Sequence, residues 1–167
     1  MPTLKPITAT PIADFRSVRL RALADSPLAF GSTHAKESQF TEADWNRRVL
    51  QWNSEQSTAF LAWDDSDSCG IVACFLDVDH PTQAHLVSMW VAPTHRKLGV
   101  GRLLVNHMID WARSRNAMTL HLMVTSCNDN AMRFYERLGF ARTGKTEPYP
   151  NDPALVEYEM VRSIASN

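Results

Sequence analysis

The sequence predicts an α/β fold, layered around a mixed sheet. Segments with the apolar runs of strands alternate with segments at helical spacing along the chain, and that alternation is the mark of a layered sheet-and-helix architecture. The segment V-S-M-W-V, residues 87–91, has the composition of a buried strand and leads through a basic, glycine-containing loop into a long helix. A chain of 167 residues, 44% of them hydrophobic, can bury one substantial core, so a single domain over 1–167 is expected.

Taken in order, residues 4–8 read as a first strand. A helical stripe follows, with Phe15, Val18 and Ala22 on one side and Leu20 and Leu23 beside it. Asp25-Ser26-Pro27 ends it, because the residue before a proline avoids the helical region. Residues 28–33 are a loop, and 35–52 a second helical region. Thr41 and Asp44 have capping-box spacing within it. Phe40, Trp45 and Trp52 are expected to pack on the sheet, since aromatics mostly supply core area. Residues 58–63 and 70–78 read as a hairpin around the polar turn 64–70. The Asp64, Asp65 and Asp67 set lacks the glycine and terminal glutamate of a calcium loop, so a solvated turn is expected.

Residues 84–92 form the expected central strand, ended by Pro93. Val100, Leu103, Leu104, Met108 and Trp111 then lie at helical spacing. Residues 117–124 read as another buried strand. A helix capped by Ser126 or Asn128 follows, with Ala131, Phe134, Tyr135 and Leu138 on one face and Gly139 as its stop. Strands over 140–145 and 154–161, joined by a proline-rich loop over 146–153, complete the chain.

The loop Arg96-Lys97-Leu98-Gly99-Val100-Gly101 stands where a helix begins. The first-turn N–H groups of a helix have no internal partner, and the macrodipole adds positive charge there. Such a terminus suits a phosphate or pyrophosphate. Glycines admit a ligand close to the backbone, and Arg96, Lys97 and Arg102 add charge. The nucleoside triphosphatase loop is excluded, because no Lys-Ser or Lys-Thr pair follows the glycines. The dinucleotide fingerprint is excluded too, because Leu104 holds its third glycine position.

Residues 128–140 read N-D-N-A-M-R-F-Y-E-R-L-G-F. Together with R-x-x-G-x-G after a strand, this resembles the GCN5-related N-acetyltransferase (GNAT) family. Arg96, Gly99 and Gly101 match the pyrophosphate motif, while Asn128, Ala131, Phe134, Tyr135, Gly139 and Phe140 match the second motif. The likeness is strong over 84–140. The run R-L-R-A-L-A-D-S-P-L-A-F-G-S-T, residues 19–33, looks more weakly like bacterial members of undefined acceptor.

The resemblance implies a mostly antiparallel sheet of six to seven strands flanked by about four helices, splayed at an acetyl-CoA site. It implies acetyl-CoA as donor and a primary amine, of a small molecule or a peptide, as acceptor. Backbone groups of Trp90 and Val91 would pair with the pantetheine arm as an added strand does. Amides of Lys97, Leu98, Gly99, Val100, Gly101 and Arg102 would hold the pyrophosphate, with Arg96 beside them. Asn128 would bond the arm or cap its helix. Tyr135 would be the general acid for the leaving thiolate, and the Val91 N–H the oxyanion donor.

The general base is open at this stage. Several relatives carry a glutamate five residues before Asn128, where this chain has Met123, and others carry one on the central strand near the position of His85. His85, His121, Glu37 or a water chain are the candidates. Cys127 near a helix start is expected to be buried or capping rather than nucleophilic.

A formal net charge of −1 argues against a nucleic-acid partner. Three cysteines, with no C-x-x-C pair, suit a reducing compartment, and a cytoplasmic location is expected. No metal-ligand spacing is present, and no apolar run is long enough for a membrane span. Two other readings remain at this stage: an acyl-CoA-binding sensor without turnover, and a toxin acetylating aminoacyl-tRNA. The sequence also leaves the oligomeric state open, a homodimer included.

Overall fold

The computed structural model describes residues 1–166. Among these, the strands are β1 (Thr3–Pro6), β2 (Asn53–Ser54), β3 (Ser57–Asp64), β4 (Asp67–Leu76), β5 (Gln83–Val91), β6 (Thr119–Thr125), β7 (Ala141–Pro148) and β8 (Val156–Ser163). The helices are α1 (Ile12–Asp25), α2 (His34–Glu37), α3 (Glu42–Gln51), α4 (Val100–Ser114) and α5 (Asp129–Arg137). The sheet runs β1-β3-β4-β5-β6-β8-β7, with the two-residue β2 paired to β3. Every pairing is antiparallel except β5 with β6. The mixed, mostly antiparallel α/β fold is the expected one, with β2 added and the expected helical region 35–52 divided into the single-turn α2 and α3.

Local chemistry sets most boundaries. The Thr41 side chain accepts from the Asp44 N–H and the Asp44 carboxylate accepts from the Thr41 N–H, so the capping box fixes the start of α3. Asn128 Oδ1 accepts from the Ala131 N–H at 3.2 Å and starts α5. Gly139, at φ +89°, supplies the left-handed turn that stops α5.

Two expectations need correction. The buried face of α4 is Val100, Leu104, Val105, Met108, Ile109 and Ala112. Leu103 is exposed, and Trp111 only borders the core. The i, i+4 row through Leu104 and Met108 meets the sheet, and Leu103 lies about 100° round the helix from Leu104. Cys127 is exposed, and the cap beside it is Asn128.

Helices cover both sheet faces. Ala59, Ile71 and Ala73 face α1 and α3, where the Phe15 and Trp45 rings meet edge to face at 5.7 Å. The neighbouring Phe60 instead meets His107 of α4, at 4.3 Å. That alternation is the period of two of a strand.

Two irregularities in β5 create the site. Between the rungs Ile71↔Trp90 and Ala73↔Val87, two residues of β5 stand opposite one of β4, a β-bulge. Ser88, within it, has φ +57°. On the other side, β5 pairs with β6 only at Gln83↔Thr119, Ala84↔Leu120 and His85↔His121. Past His85 the strands carry no further rungs, and the sheet opens into a cleft.

Candidate functional site

The cleft has a volume of about 380 Å³ and passes through the sheet. His85, Val87, Ser88 and Met89 line it from β5, and His121 to Val124 from β6. Asn128, Ala131 and Tyr135 of α5 lie at one end, and Arg19, Phe30 and Gly31 at the other. Neither group could be read as a neighbour of the other from spacing alone.

Beside this opening is the basic loop. The Leu103 N–H makes the first bond of α4, to Gly99 O at 3.0 Å. Among the described residues, no backbone N–H from 97 to 102 donates within the protein. Lys97 at φ +63° and Gly99 at φ +87° are left-handed, and Gly99 is the N-cap. Such turns curl successive N–H groups around one point, the geometry of an anion nest. The loop is exposed through Lys97, Leu98 and Gly99. Its two glycines do different work. Gly99 adopts a backbone conformation that costs other residues about 1–2 kcal/mol. A Cβ on Gly101 would come within 3.0 Å of the Phe134 ring, so Gly101 lets α4 and α5 close on the loop.

The Arg96 side chain turns back on the protein. Its Nε donates to Val91 O at 3.0 Å and its Nη2 bonds the Asp25 carboxylate, which also accepts from the Trp90 indole at 3.0 Å. Burial pushes the Asp25 carboxyl up, but these hydrogen bonds and the Arg96 charge bring it below its ordinary value. Arg96 thus ties the start of the loop to α1.

Trp90 and Val91 differ in orientation. The Ala92 N–H donates to Cys69 O at 2.8 Å, so it points toward β4. By the alternation of an antiparallel ladder, the backbone groups of Trp90, two residues back on the rung Ile71↔Trp90, point the same way. The backbone groups of Trp90 therefore face β4, which corrects the expectation that they pair with an added arm. Val91, between them, turns its N–H to the open edge. It stands just beyond the cleft lining, which reaches Met89.

Tyr135 is buried but lines the cleft. Burial alone, with no compensating charge or hydrogen bond, pushes its phenol well above the ordinary range. It therefore stays protonated at neutral pH.

Glu37 is not free to act as a base. Arg19 Nε and Nη2 donate to its two oxygens at 3.0 and 2.9 Å, and Arg48 Nη1 to Oε1 at 3.3 Å. Burial raises this carboxyl, but Arg19 and then Arg48 more than offset it, and the net direction is down. A carboxylate so held resists protonation. Arg19 Nη1 also donates to Ser88 Oγ at 3.0 Å, which fastens the bulge to α1. The sequence signal for Arg19 was available, because it is a charged residue beside the apolar stripe of α1. Nothing in the sequence linked it to Ser88.

A strap from the β7–β8 connection closes the far end. The Tyr149 hydroxyl lies 2.7 Å from Phe30 O and 3.0 Å from Pro27 O, and Asn151 Nδ2 donates to Phe30 O at 3.2 Å. Thr125 Oγ1 donates to Leu28 O at 2.5 Å. These bonds fix the loop that carries Phe30 and Gly31 into the lining.

Comparison with known proteins agrees with this architecture. The family model described as Acetyltransferase (GNAT) family matches residues 20–140. A streptothricin acetyltransferase of Streptomyces lavendulae is 50% identical over 54 residues, 32% of this chain and 29% of that protein. An alanine N-acetyltransferase for ribosomal protein bS18, from Salmonella typhimurium, is 40% identical over 58 residues, 35% of this chain and 39% of that one. The match spans less than two thirds of either relative. Among solved structures, a GNAT-family acetyltransferase of Streptococcus pneumoniae aligns with a TM-score of 0.78 at 19% identity, covering 99% of this chain and 100% of that one. An aminoglycoside 6'-N-acetyltransferase complexed with coenzyme A aligns at 0.71 and 15% identity, covering 99% and 98%. With its family model matched from Leu20 to Phe140 and its sheet split beside an anion nest, the chain belongs to the GNAT acetyltransferase family.

Proposed function

We propose that this chain transfers the acetyl group of acetyl-CoA directly to a primary amine, of a small molecule or of a protein N-terminus. The observation that carries this reading is the run of unoccupied N–H groups from 97 to 102, opening beside the cleft that Tyr135 lines. Donors of that kind suit a pyrophosphate. The split between β5 and β6 offers an unpaired strand edge, which an extended amide-bearing arm can satisfy. Asn128 lines the same cleft and keeps its side-chain N–H groups for that arm. Similarity to acetyltransferases of streptothricin and of ribosomal bS18 alanine supports an amine acceptor.

In this reading Tyr135 gives its proton to the leaving thiolate, and the outward Val91 N–H stabilises the developing oxyanion. Lys97 and Arg102 neutralise phosphate charge, and Arg96 holds the loop in place. The test is calorimetry with coenzyme A and acetyl-CoA, followed by coenzyme A release with streptothricin and with an N-terminal alanine peptide. Absence of binding heat from folded protein would overturn the reading. Heat without release would favour the sensor reading, a binding module without turnover.

Two variants extend the test. Gly101→Val is expected to displace Phe134 and weaken acetyl-CoA binding about tenfold, close to 1.4 kcal/mol, by calorimetry. Tyr149→Phe removes a buried hydroxyl and leaves Phe30 O with one partner fewer. It should cost about 1 kcal/mol in urea denaturation and raise the amine KM, with acetyl-CoA affinity unchanged.

A further inference from the structure

The cleft carries one charge that the proposed reaction has not used. Two side chains of fixed charge line it, Arg19 and Glu157. Arg19 is met by the Glu37 carboxylate at 2.9 Å. Glu157, on β8, is half-buried and has neither an ion pair nor a hydrogen bond to its carboxylate among the described residues. The acidic side chains beside it are already engaged. Glu159, two residues along β8 and on the same face, accepts from Thr143 Oγ1 at 3.0 Å and lies 3.6 Å from His121 Nδ1. Glu147, opposite Glu157 on β7, is paired with Lys145 at 3.4 Å.

Strand pairing places this carboxylate. Glu157 is the register partner of Thr125 on β6, and directly opposed residues share a sheet face. Thr125 Oγ1 donates to Leu28 O, so the face is the one under the loop that brings Phe30 and Gly31 into the lining. In the proposed reaction the donor comes from the nest at the start of α4 and leaves this face to the acceptor. Phe30, Phe75 and Met123 share the lining, and a charge between apolar walls acts more strongly on a ligand than one in open water. Burial, then the Glu147 charge, raises the Glu157 carboxyl above its ordinary value. That direction marks an anion with no cation in contact. A neutral ligand would strip water from it without compensation, an acidic one would be repelled, and a cation would supply the missing partner.

Resting on the function proposed above, we infer that Glu157 selects acceptors that carry a second cation. Its carboxylate accepts hydrogen bonds from an ammonium or guanidinium of the acceptor other than the nitrogen that is acetylated. The acceptor class is therefore a diamine, or an amine with a basic side chain, and amines bearing a carboxylate or phosphate are turned away. Arg19 does not offset this preference, because Glu37 holds its charge. The role is one of selection: the contact lies outside the reacting atoms, is made in the ground state and the transition state alike, and so acts on KM more than on kcat.

The test compares three small amides with nearly the same chain: lysinamide, norleucinamide, which lacks the side-chain ammonium, and the α-amide of glutamate, which has a carboxylate there. Calorimetry with coenzyme A present, where no transfer can occur, should show wild-type protein binding lysinamide about tenfold or more tightly than norleucinamide, and the glutamate amide more weakly than either. Glu157→Gln should bring lysinamide and norleucinamide to within about twofold of each other, through loss of lysinamide affinity. Glu157→Lys should reverse the order in favour of the glutamate amide, which a merely structural role would not do. Urea denaturation should match the wild type for Glu157→Gln, since no bond is lost in the free protein. With acetyl-CoA, the same ranking should appear in kcat/KM, carried by KM. No binding of lysinamide, equal binding of the first two amides by the wild type, or a preference that survives in Glu157→Gln would overturn the inference. Those results with intact acetyl-CoA binding would leave the acetyltransferase reading standing; absence of acetyl-CoA binding by the wild type would remove that reading instead.

Discussion

Tyr135→Phe is expected to lower turnover about tenfold or more while acetyl-CoA affinity changes little. The substitution deletes one oxygen and keeps the ring, so the contacts with Phe134 at 5.1 Å and Phe140 at 5.7 Å persist. Stability should therefore change little, which separates a chemical role from a packing one. The raised phenol has two opposing consequences. It guarantees a proton at neutral pH, but a weaker acid transfers that proton less readily to an ordinary thiolate. The cleft narrows this difference, because the same burial raises the thiolate as it raises the phenol. In the proposed reaction, transfer would accompany C–S cleavage and not precede it. A step of this kind predicts a solvent isotope effect on kcat that Tyr135→Phe diminishes. Unchanged turnover in the variant would assign the proton to water and leave Tyr135 as a core aromatic.

The contrast between these two halves of the site explains what was legible in the sequence. The nest and the Tyr135 helix are local. Each needs a few residues at fixed spacing, Gly99 and Gly101 before a helical stripe, Asn128 before Ala131 and Tyr135, so the linear text carries them. The side proposed for the acceptor is assembled from distant segments. Arg19, Glu37, Arg48 and Ser88 meet from four elements. Asp77 and His85 face each other only because the turn between β4 and β5 brings them together. The bulge at Ser88 has no glycine to announce it, since a serine there takes the left-handed conformation under tertiary constraint. Helix faces failed for a similar reason. Leu103 fits the spacing of a buried residue, and only the position of the sheet decides that Leu104 is inside. The orientation of Trp90 and Val91 depended on which rung exchanges hydrogen bonds, and that is a property of pairing.

Glu37→Gln should be the most damaging single substitution away from the chemistry. Glu37 is fully buried and bridges two guanidiniums, Arg19 on α1 and Arg48 on α3. Removing one member of such a group leaves an uncompensated buried charge, which costs about 3–5 kcal/mol. Here two cations would face each other, and Arg19 itself is only 6% exposed. The pH dependence has a definite sign. The folded-state carboxyl lies below its ordinary value of 4.5, so the unfolded chain binds the proton first on acidification. The contribution is therefore complete above that ordinary value and is lost as pH falls through the lower folded value. Asp25, Asp44 and Asp77 shift in the same direction, so the wild-type curve alone does not isolate Glu37. The difference between wild type and Glu37→Gln does, because the other carboxylates cancel. Urea denaturation should give a large difference at neutral pH that shrinks on acidification below the carboxylate range. A difference under about 1 kcal/mol, or one independent of pH, would show that the two arginines find other partners. The functional consequence follows through Arg19, whose bond to Ser88 holds the bulge. In surviving folded protein the amine KM should rise, while calorimetric affinity for acetyl-CoA, which we propose the separate nest at 97–102 sets, stays near the wild-type value.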